Sequence, residues 1–150
     1  MRERNVADAR IEELKAVARK AGLKLTHQRL EILGAVASTD MHPDAETVWR
    51  TVRLRMPTLS LATVYRTLWL LADAGVVNAV APGGGRVRFD ANTGPHAHYV
   101  CARCGATRDI AIPEPELRRI SEQAMSFGSV VATAVEVRGV CERCAGTGES

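Results

Sequence analysis

Aromatic side chains are scarce in this chain, with two Phe, two Tyr and two Trp among 150 residues. A core must therefore come from Leu, Val, Ile and Ala, and any small lobe built from them is short of apolar bulk and needs a staple. Long apolar runs are missing as well. No stretch approaches the ~18 apolar residues of a membrane span, and the chain opens on Met1-Arg-Glu-Arg-Asn rather than an apolar signal core. The expectation is a cytoplasmic protein with no membrane partner. Net charge is small: the formal value is +3. Residues 1–80 carry 12 Lys/Arg against 9 Asp/Glu and residues 81–150 carry 8 against 8, so the surplus lies wholly in the first part. A polyanion partner there is compatible with this imbalance, but so small a surplus decides nothing by itself. Cysteine is limited to two C-x-x-C pairs, Cys101/Cys104 and Cys141/Cys144. In a reducing compartment these point to metal rather than to disulfides. What the chain does have is ordinary globular composition, 46% hydrophobic and 25% charged, which excludes wholesale disorder.

Helical spacing of Ile11, Leu14, Val17, Ala18 and Ala21 predicts a first helix over 9–22, with Gly22 just past its end. Thr26 is a natural N-cap for a second, through Leu30, Leu33 and Val36 to about Ser38; Asp44 caps a third through Val48, Trp49 and Val52, closed by Pro57. Ser60 starts a fourth, running to Gly75 with Leu61, Val64, Leu68 and Leu71 inward. Two β-branched runs follow, 76–80 and 86–89, separated by Pro82-Gly-Gly-Gly85, which reads as a hairpin. Beyond residue 90 the period changes: strands are predicted at 97–101, 107–112 and 130–140, and a helix over 114–126 after Pro113. The fold class is α+β: a winged helix-turn-helix domain over 1–90, a hinge over 91–95, and a small α/β domain over 96–150.

A helix that reads DNA presents short polar or bidentate side chains on its exposed first turns while its opposite stripe is buried. In the fourth helix Ser60, Thr63, Tyr65, Arg66 and Thr67 meet that demand. Arg66 can bond a guanine edge or a phosphate, and Tyr65 can touch a thymine methyl or a phosphate. The plainer alternative makes Ser60 an N-cap and Arg66 a solvated charge; the hairpin directly after the helix favours the DNA reading. Lys15, Arg19, Lys24 and Arg29 are candidate phosphate or minor-groove contacts.

Two cysteine knuckles separated by 36 residues are the pattern of a closed, all-thiolate structural zinc site, here Cys101, Cys104, Cys141 and Cys144. The alternative is an incidental set of buried or redox-active thiols. Three of the four histidines group with acids: His42, Asp90, His96, His98 and Asp109. His96 and His98 share one strand face, with Asp90 before them and Asp109 on the next strand. Mixed nitrogen and oxygen ligation suits Fe(II), Mn(II) or Zn(II). His27 is placed in the second helix's first turn, with no metal role.

Four motifs carry a resemblance along almost the whole chain: Gly22-Leu-Lys-Leu-Thr26 with Gln28-Arg29; His42-Pro-Asp-Ala-Glu46 with Val48-Trp49; Ser60-Leu-Ala-Thr-Val-Tyr-Arg66; and His96-Ala-His98 leading into Cys101-Ala-Arg-Cys104-Gly105. In these the chain resembles the ferric uptake regulator family. The resemblance implies a homodimeric repressor, its second domain the dimerisation domain, that binds A/T-rich inverted-repeat operators in double-stranded DNA when a divalent ion locks its reader domains in place. It also implies that Tyr65 and Arg66 are the base-proximal pair and Lys24 a minor-groove residue. The peroxide-responsive branch uses three His and two Asp as regulatory ligands, matched here by His42, Asp90, His96, His98 and Asp109; iron-responsive members more often carry Glu at the acid positions. No His follows His98, and Ala97 stands where iron and zinc regulators often place a further ligand, so their extra site is expected to be absent.

The expectation is a metal-dependent repressor with one structural Zn(2+) and one regulatory Fe(2+) or Mn(2+), the ion shifting the population toward the DNA-competent arrangement. With Fe(II), resemblance to the peroxide branch suggests oxidation of His42 or His96. One alternative is a regulator answering to iron, manganese or zinc level alone. The other, of a different class, is a zinc hydrolase using His96, His98 and an acid; no separate base accompanies them, and the reader half is then unexplained.

Overall fold

The computed structural model describes residues 2–81, 85–92, 94, 96–130 and 133–146. The expected hairpin tip at 82–84, hinge positions 93 and 95, positions 131–132 of the last expected strand, and 147–150 lie outside the described residues. The chain divides into two compact units, Met1–Thr93 and Gly94–Ser150.

The first unit carries α1 (Arg2–Lys20), α2 (His27–Ala37), α3 (Ala45–Val52) and α4 (Leu61–Asp73), followed by β1 (Asn78–Val80) and β2 (Arg88–Asp90). Three of these helices start at a side-chain cap. Thr26 Oγ1 accepts the Arg29 N–H at 3.3 Å, Asp44 Oδ1 the Thr47 N–H at 2.8 Å, and Ser60 Oγ the Thr63 N–H at 3.1 Å; such caps contribute ~1 kcal/mol each. Helix α1 ends where Gly22 takes φ +78°, with Leu23 N–H reaching Ala18 O and Gly22 N–H reaching Arg19 O. A glycine is needed there because other residues resist the left-handed region.

Helix α1 begins seven residues before its apolar stripe predicts, at Arg2 rather than Ala9. Arg, Glu and Ala sustain a helix on propensity without needing a buried face. The core is filled from every helix: Leu14 and Ala18; Ile32, Leu33 and Val36; Val48 and Val52; Val64, Leu68 and Leu71. Val76, Val77 and Phe89 close it. Val76 and Val77 belong to no strand; their N–H groups return to Leu71 O, so they plug the core directly after α4 and the strands are only three residues long. Leu61 is only partly buried, and Thr67, expected on the DNA-facing side, is instead 7% exposed within the buried stripe with Val64, Leu68 and Leu71. The four-helix order with β1 antiparallel to β2 is a winged helix-turn-helix with an added first helix. Ala91 is buried and Asn92 O accepts from Asn78 Nδ2 at 3.1 Å, so the packed unit runs past β2.

The second unit contains β3 (His96–Cys101), β4 (Thr107–Ala111), α5 (Glu114–Met125), β5 (Glu136–Gly139) and the one-turn α6 (Glu142–Ala145). Strand β3 is central, antiparallel to β4 and parallel to β5. The turn from β3 to β4 is closed by Gly105 at φ +73°, whose N–H bonds Cys101 O at 2.9 Å. Strand β5 is far shorter than expected: it pairs with β3 only along His98–Cys101, and 133–135 precede it outside the strand. Among the described residues, the buried side chains of this unit are Ala97, Val100, Cys101 and Thr107. Helix α5 buries none, and Ile120, Met125, Phe127, Val137 and Val140 are exposed. No helix among the described residues is long and apolar enough to cross a membrane.

Candidate metal centres and nucleic-acid interface

The four cysteines are brought together by the ends of β3 and β5: Cys101 closes β3, Cys104 lies in the turn after it, and Cys141 and Cys144 flank the start of α6. Their sulfurs all lie within 4.8 Å of one another, and Cys104 Sγ is 3.8 Å from Cys141 Sγ. With Zn–S bonds of about 2.3 Å, a tetrahedral site has S···S edges of about 3.8 Å, so the arrangement fits a tetrathiolate centre. The Cys101 thiol is held down to about 5, first by the Cys141 N–H donating to its sulfur at 3.4 Å and then by N–H groups of Cys104 and Arg103. Cys104 is also lowered, chiefly by the Ala106 N–H. Cys144 is pushed up to about 12 by its bonding to Cys141 and Cys104 and by the other sulfurs. A site whose first thiolate forms easily and whose last resists ionisation is completed by a dication that neutralises all of them.

In the same unit, β3 alternation puts His96 and His98 on one face, and the register sets Asp109 of β4 directly opposite His98. His96 Nε2 lies 3.0 Å from His98 Nε2, and Asp109 Oδ1 is 3.5 Å and 3.6 Å from those two nitrogens. His96 Nδ1 is 2.6 Å from Gly94 O, which fixes that ring and leaves Nε2 to face its partners. Metal–ligand bonds near 2.1 Å give edges of ~3.0 Å in an octahedron and ~3.4 Å in a tetrahedron. These three donors are spaced for a shared ion.

The first unit holds a second, smaller set. His42 sits in the loop between α2 and α3, and Asp90 ends β2; both side chains are buried, with His42 Nε2 3.1 Å from Asp90 Oδ2. The loop is pinned to the hairpin by Phe89 N–H to Pro43 O at 3.0 Å and Arg88 Nη1 to His42 O at 3.3 Å. Asp90 Oδ1 accepts the Asn92 N–H at 2.8 Å, directing the other oxygen at the imidazole. His42 takes φ +49°. A left-handed conformation in a non-glycine residue costs ~1–3 kcal/mol and persists where surrounding structure enforces it, often at functional positions. Asp44, two residues on, takes Arg86 Nη1 at 2.9 Å besides capping α3. Burial opposes its charge, but Arg86 and Thr47 outweigh that and hold its carboxyl at about 2.

The DNA candidates all lie in the first unit. Tyr65 and Arg66 are exposed on α4, and Thr63 is partly buried. Ser60 is the α4 N-cap, so its hydroxyl is committed to Thr63; Arg66 Nη2 donates to Thr63 Oγ1 at 3.3 Å. Lys24 is exposed between α1 and α2, and Arg29 Nη1 donates to Lys24 O at 2.6 Å. A groove of about 360 Å³ separates the start of α2 from α4, lined by Thr26, Gln28, Arg29, Thr63, Arg66 and, deeper, Thr67 and Leu70. Gln28 enters the sequence only within the Gln28-Arg29 motif and not as a site residue, and nothing in the sequence marks the Asp44–Arg86 pair, which joins residues 42 apart.

The ferric uptake regulator family model matches residues 20–137. The chain is 33% identical over 138 residues to the peroxide-responsive repressor PerR of Staphylococcus epidermidis, covering 91% of each chain. Among solved structures, the ferric uptake regulator from Pseudomonas aeruginosa with manganese aligns at TM-score 0.68 and 31% identity, covering 85% of this chain and 97% of that one. The Campylobacter jejuni peroxide stress regulator aligns at 0.67 and 26%, covering 89% and 97%. A winged reader, a four-sulfur cluster and a His/His/Asp strand pair, together with these matches, place the chain in the ferric uptake regulator family.

Proposed function

We propose that this chain is a metal-dependent, DNA-binding transcriptional repressor in which His42, Asp90, His96, His98 and Asp109 close on a single regulatory Fe(2+) or Mn(2+), while Cys101, Cys104, Cys141 and Cys144 hold a structural Zn(2+). The observation that carries the reading is that each unit presents its own convergent nitrogen and oxygen donors, spaced at 3.0–3.6 Å in the second unit and 3.1 Å in the first. An ion ligated by both sets binds more tightly when the units adopt the arrangement that satisfies all five, and it favours that arrangement by this differential affinity. A repressor of this kind reads DNA with Tyr65 and Arg66 nearest the base edges, Lys24 toward the minor groove, and Ser60, Thr63 and Arg29 on the same DNA-facing side. It acts as a homodimer on an A/T-rich inverted repeat, and the exposed apolar residues of α5 and β5 supply a face for the second copy.

Ferrous iron held by these five residues would supply the reducing chemistry for cleaving peroxide, and relatedness to the peroxide-responsive repressors suggests that one of its ligands, His42 or His96, would take up the oxygen. The relatedness to PerR and the two Asp ligands favour this over a regulator answering to metal level alone. The hydrolase alternative falls with the family assignment. The test is operator binding titrated separately with Fe(II), Mn(II) and Zn(II), with and without peroxide, followed by mass spectrometry. Peroxide-released binding of the Fe(II) form alone, with oxygen added at His42 or His96, is expected; both histidines unmodified would leave a level-responsive repressor.

A further inference from the structure

Both knuckles share one four-residue form, Cys-x-Arg-Cys: Cys101-Ala-Arg103-Cys104 and Cys141-Glu-Arg143-Cys144. Zinc ligation asks only for the two cysteines of each, so the arginine at the third place of both needs another reason. The structure gives each a use, and the uses are crossed. Arg103 Nη1 donates to the carbonyl oxygen of Cys144 at 2.8 Å, so the first knuckle holds the backbone of the second. The Arg143 guanidinium stands beside the Cys104 thiol and helps to hold it down, so the second knuckle brings a cation to a ligand of the first. Sheet pairing does not supply this link, because the β3–β5 ladder stops at Cys101 and Gly139. Beyond it, Ala102 N–H to Gly139 O at 2.8 Å and Cys141 N–H to Cys101 Sγ at 3.4 Å join the knuckles through the backbone, and Arg103 adds a side-chain link to Cys144 O.

Charge gives the same arrangement a purpose. Four thiolates around one dication retain a double negative charge, which two guanidinium groups offset. The sulfurs differ in cover: Cys101 is buried and Cys104 is exposed. Arg143 therefore stands beside the ligand that solvent reaches most easily, and a cation next to a thiolate draws electron density from it and weakens its attack on electrophiles.

We propose that Arg103 and Arg143 form a reciprocal clasp across the four-cysteine site, positioning residues that retain its zinc and shield the Cys104 thiolate. The inference rests on the zinc reading of that cluster. The experiment takes the full-length chain with its zinc, checks far-UV circular dichroism, then times zinc transfer to a chromogenic chelator and maps iodoacetamide labelling by mass spectrometry. Loss of such outer partners commonly weakens metal retention by ~10–100-fold; for these exposed groups Arg103→Ala and Arg143→Ala are each expected to speed release by about 10-fold. Arg143→Ala also labels at Cys104 faster than the wild type does, and Arg143→Lys, which keeps the charge, restores much of the protection; unchanged Cys104 labelling in Arg143→Ala overturns the shielding. Glu142→Ala, in the same knuckle, releases zinc at the wild-type rate. If an alanine variant loses its fold, the Lys variants at both positions carry the test, with release between wild type and the expected alanine rate. Unchanged release in the arginine variants, or equal acceleration in Glu142→Ala, overturns the clasp. A wild-type chain without zinc, or full zinc in Cys141→Ser, overturns the zinc reading instead.

Discussion

The two units of this chain are stabilised by different means. In the first, every helix sends fully buried Leu, Ile or Val side chains, or in α1 Leu14 and Ala18, into one apolar core that Phe89 completes. In the second, the described buried side chains are four, two of them Cys101 and Thr107, and α5 contributes none. Apolar burial at ~25 cal/mol per Å² can hold the first unit together alone. The second has too little of it, and a zinc at the four cysteines, which their spacing fits, is the staple such a lobe needs.

Several substitutions separate these modes, beginning with the largest effect. Cys141→Ser removes a zinc ligand; structural zinc contributes apparent values of ~10–16 kcal/mol in small metal-built domains, so the second unit is expected to unfold while the first keeps its helices. Calorimetry or hydrogen exchange resolves the two, and a second unit that stays protected would mean that packing suffices. Leu68→Ala does the converse: a cavity in the reader core costs ~2–5 kcal/mol, lowering the first transition and leaving zinc content unchanged. Arg66→Ala leaves both units folded and weakens operator binding by ~1–3 kcal/mol if its guanidinium reads a base; a uniform loss across sequences would assign it to phosphate.

The smallest effect concerns the clip between the hairpin and α3. Asp44 is held at about 2, against its ordinary 3.8, by Arg86 and Thr47 working against burial. Because its folded value is depressed, the stabilisation is present above pH ~4 and lost as pH falls through ~2. Its worth is on the order of 1–2 kcal/mol after allowing for the solvent around Arg86. Asp44→Ala should therefore cost more at pH 7 than at pH values below 2 by about that amount, the loss of the cap to Thr47 being common to both, read from denaturant midpoints.

Much of this was legible in the residues because it is local. Thr26, Asp44 and Ser60 announce helix starts by chemistry that acts over three residues, and the C-x-x-C pairs state their ligand chemistry in their spacing. The strand pair His96/His98 follows from alternation alone. What was hidden depends on tertiary context. Thr67 looks like a surface residue until Val64, Leu68 and Leu71 show that its position lies on the buried stripe. β5 ends with β3 at the Cys101/Gly139 pair, not where its own β-branched run would carry it. The left-handed backbone of His42 lies in a loop pinned by Arg88 and Phe89, 46 and 47 residues away, which no local pattern encodes.

The decisive measurement is a double-substitution cycle on Mn(II)-dependent operator binding, with His42→Asn from the reader and His98→Ala from the second unit. Asparagine tolerates the left-handed backbone, so the reader's fold is kept while the ligand is lost. If one ion joins both sets, each single change abolishes the metal response, the pair together costs no more than either alone, and zinc stays in place. Additive losses, or a full Mn(II) response in either single variant, would contradict a shared ion.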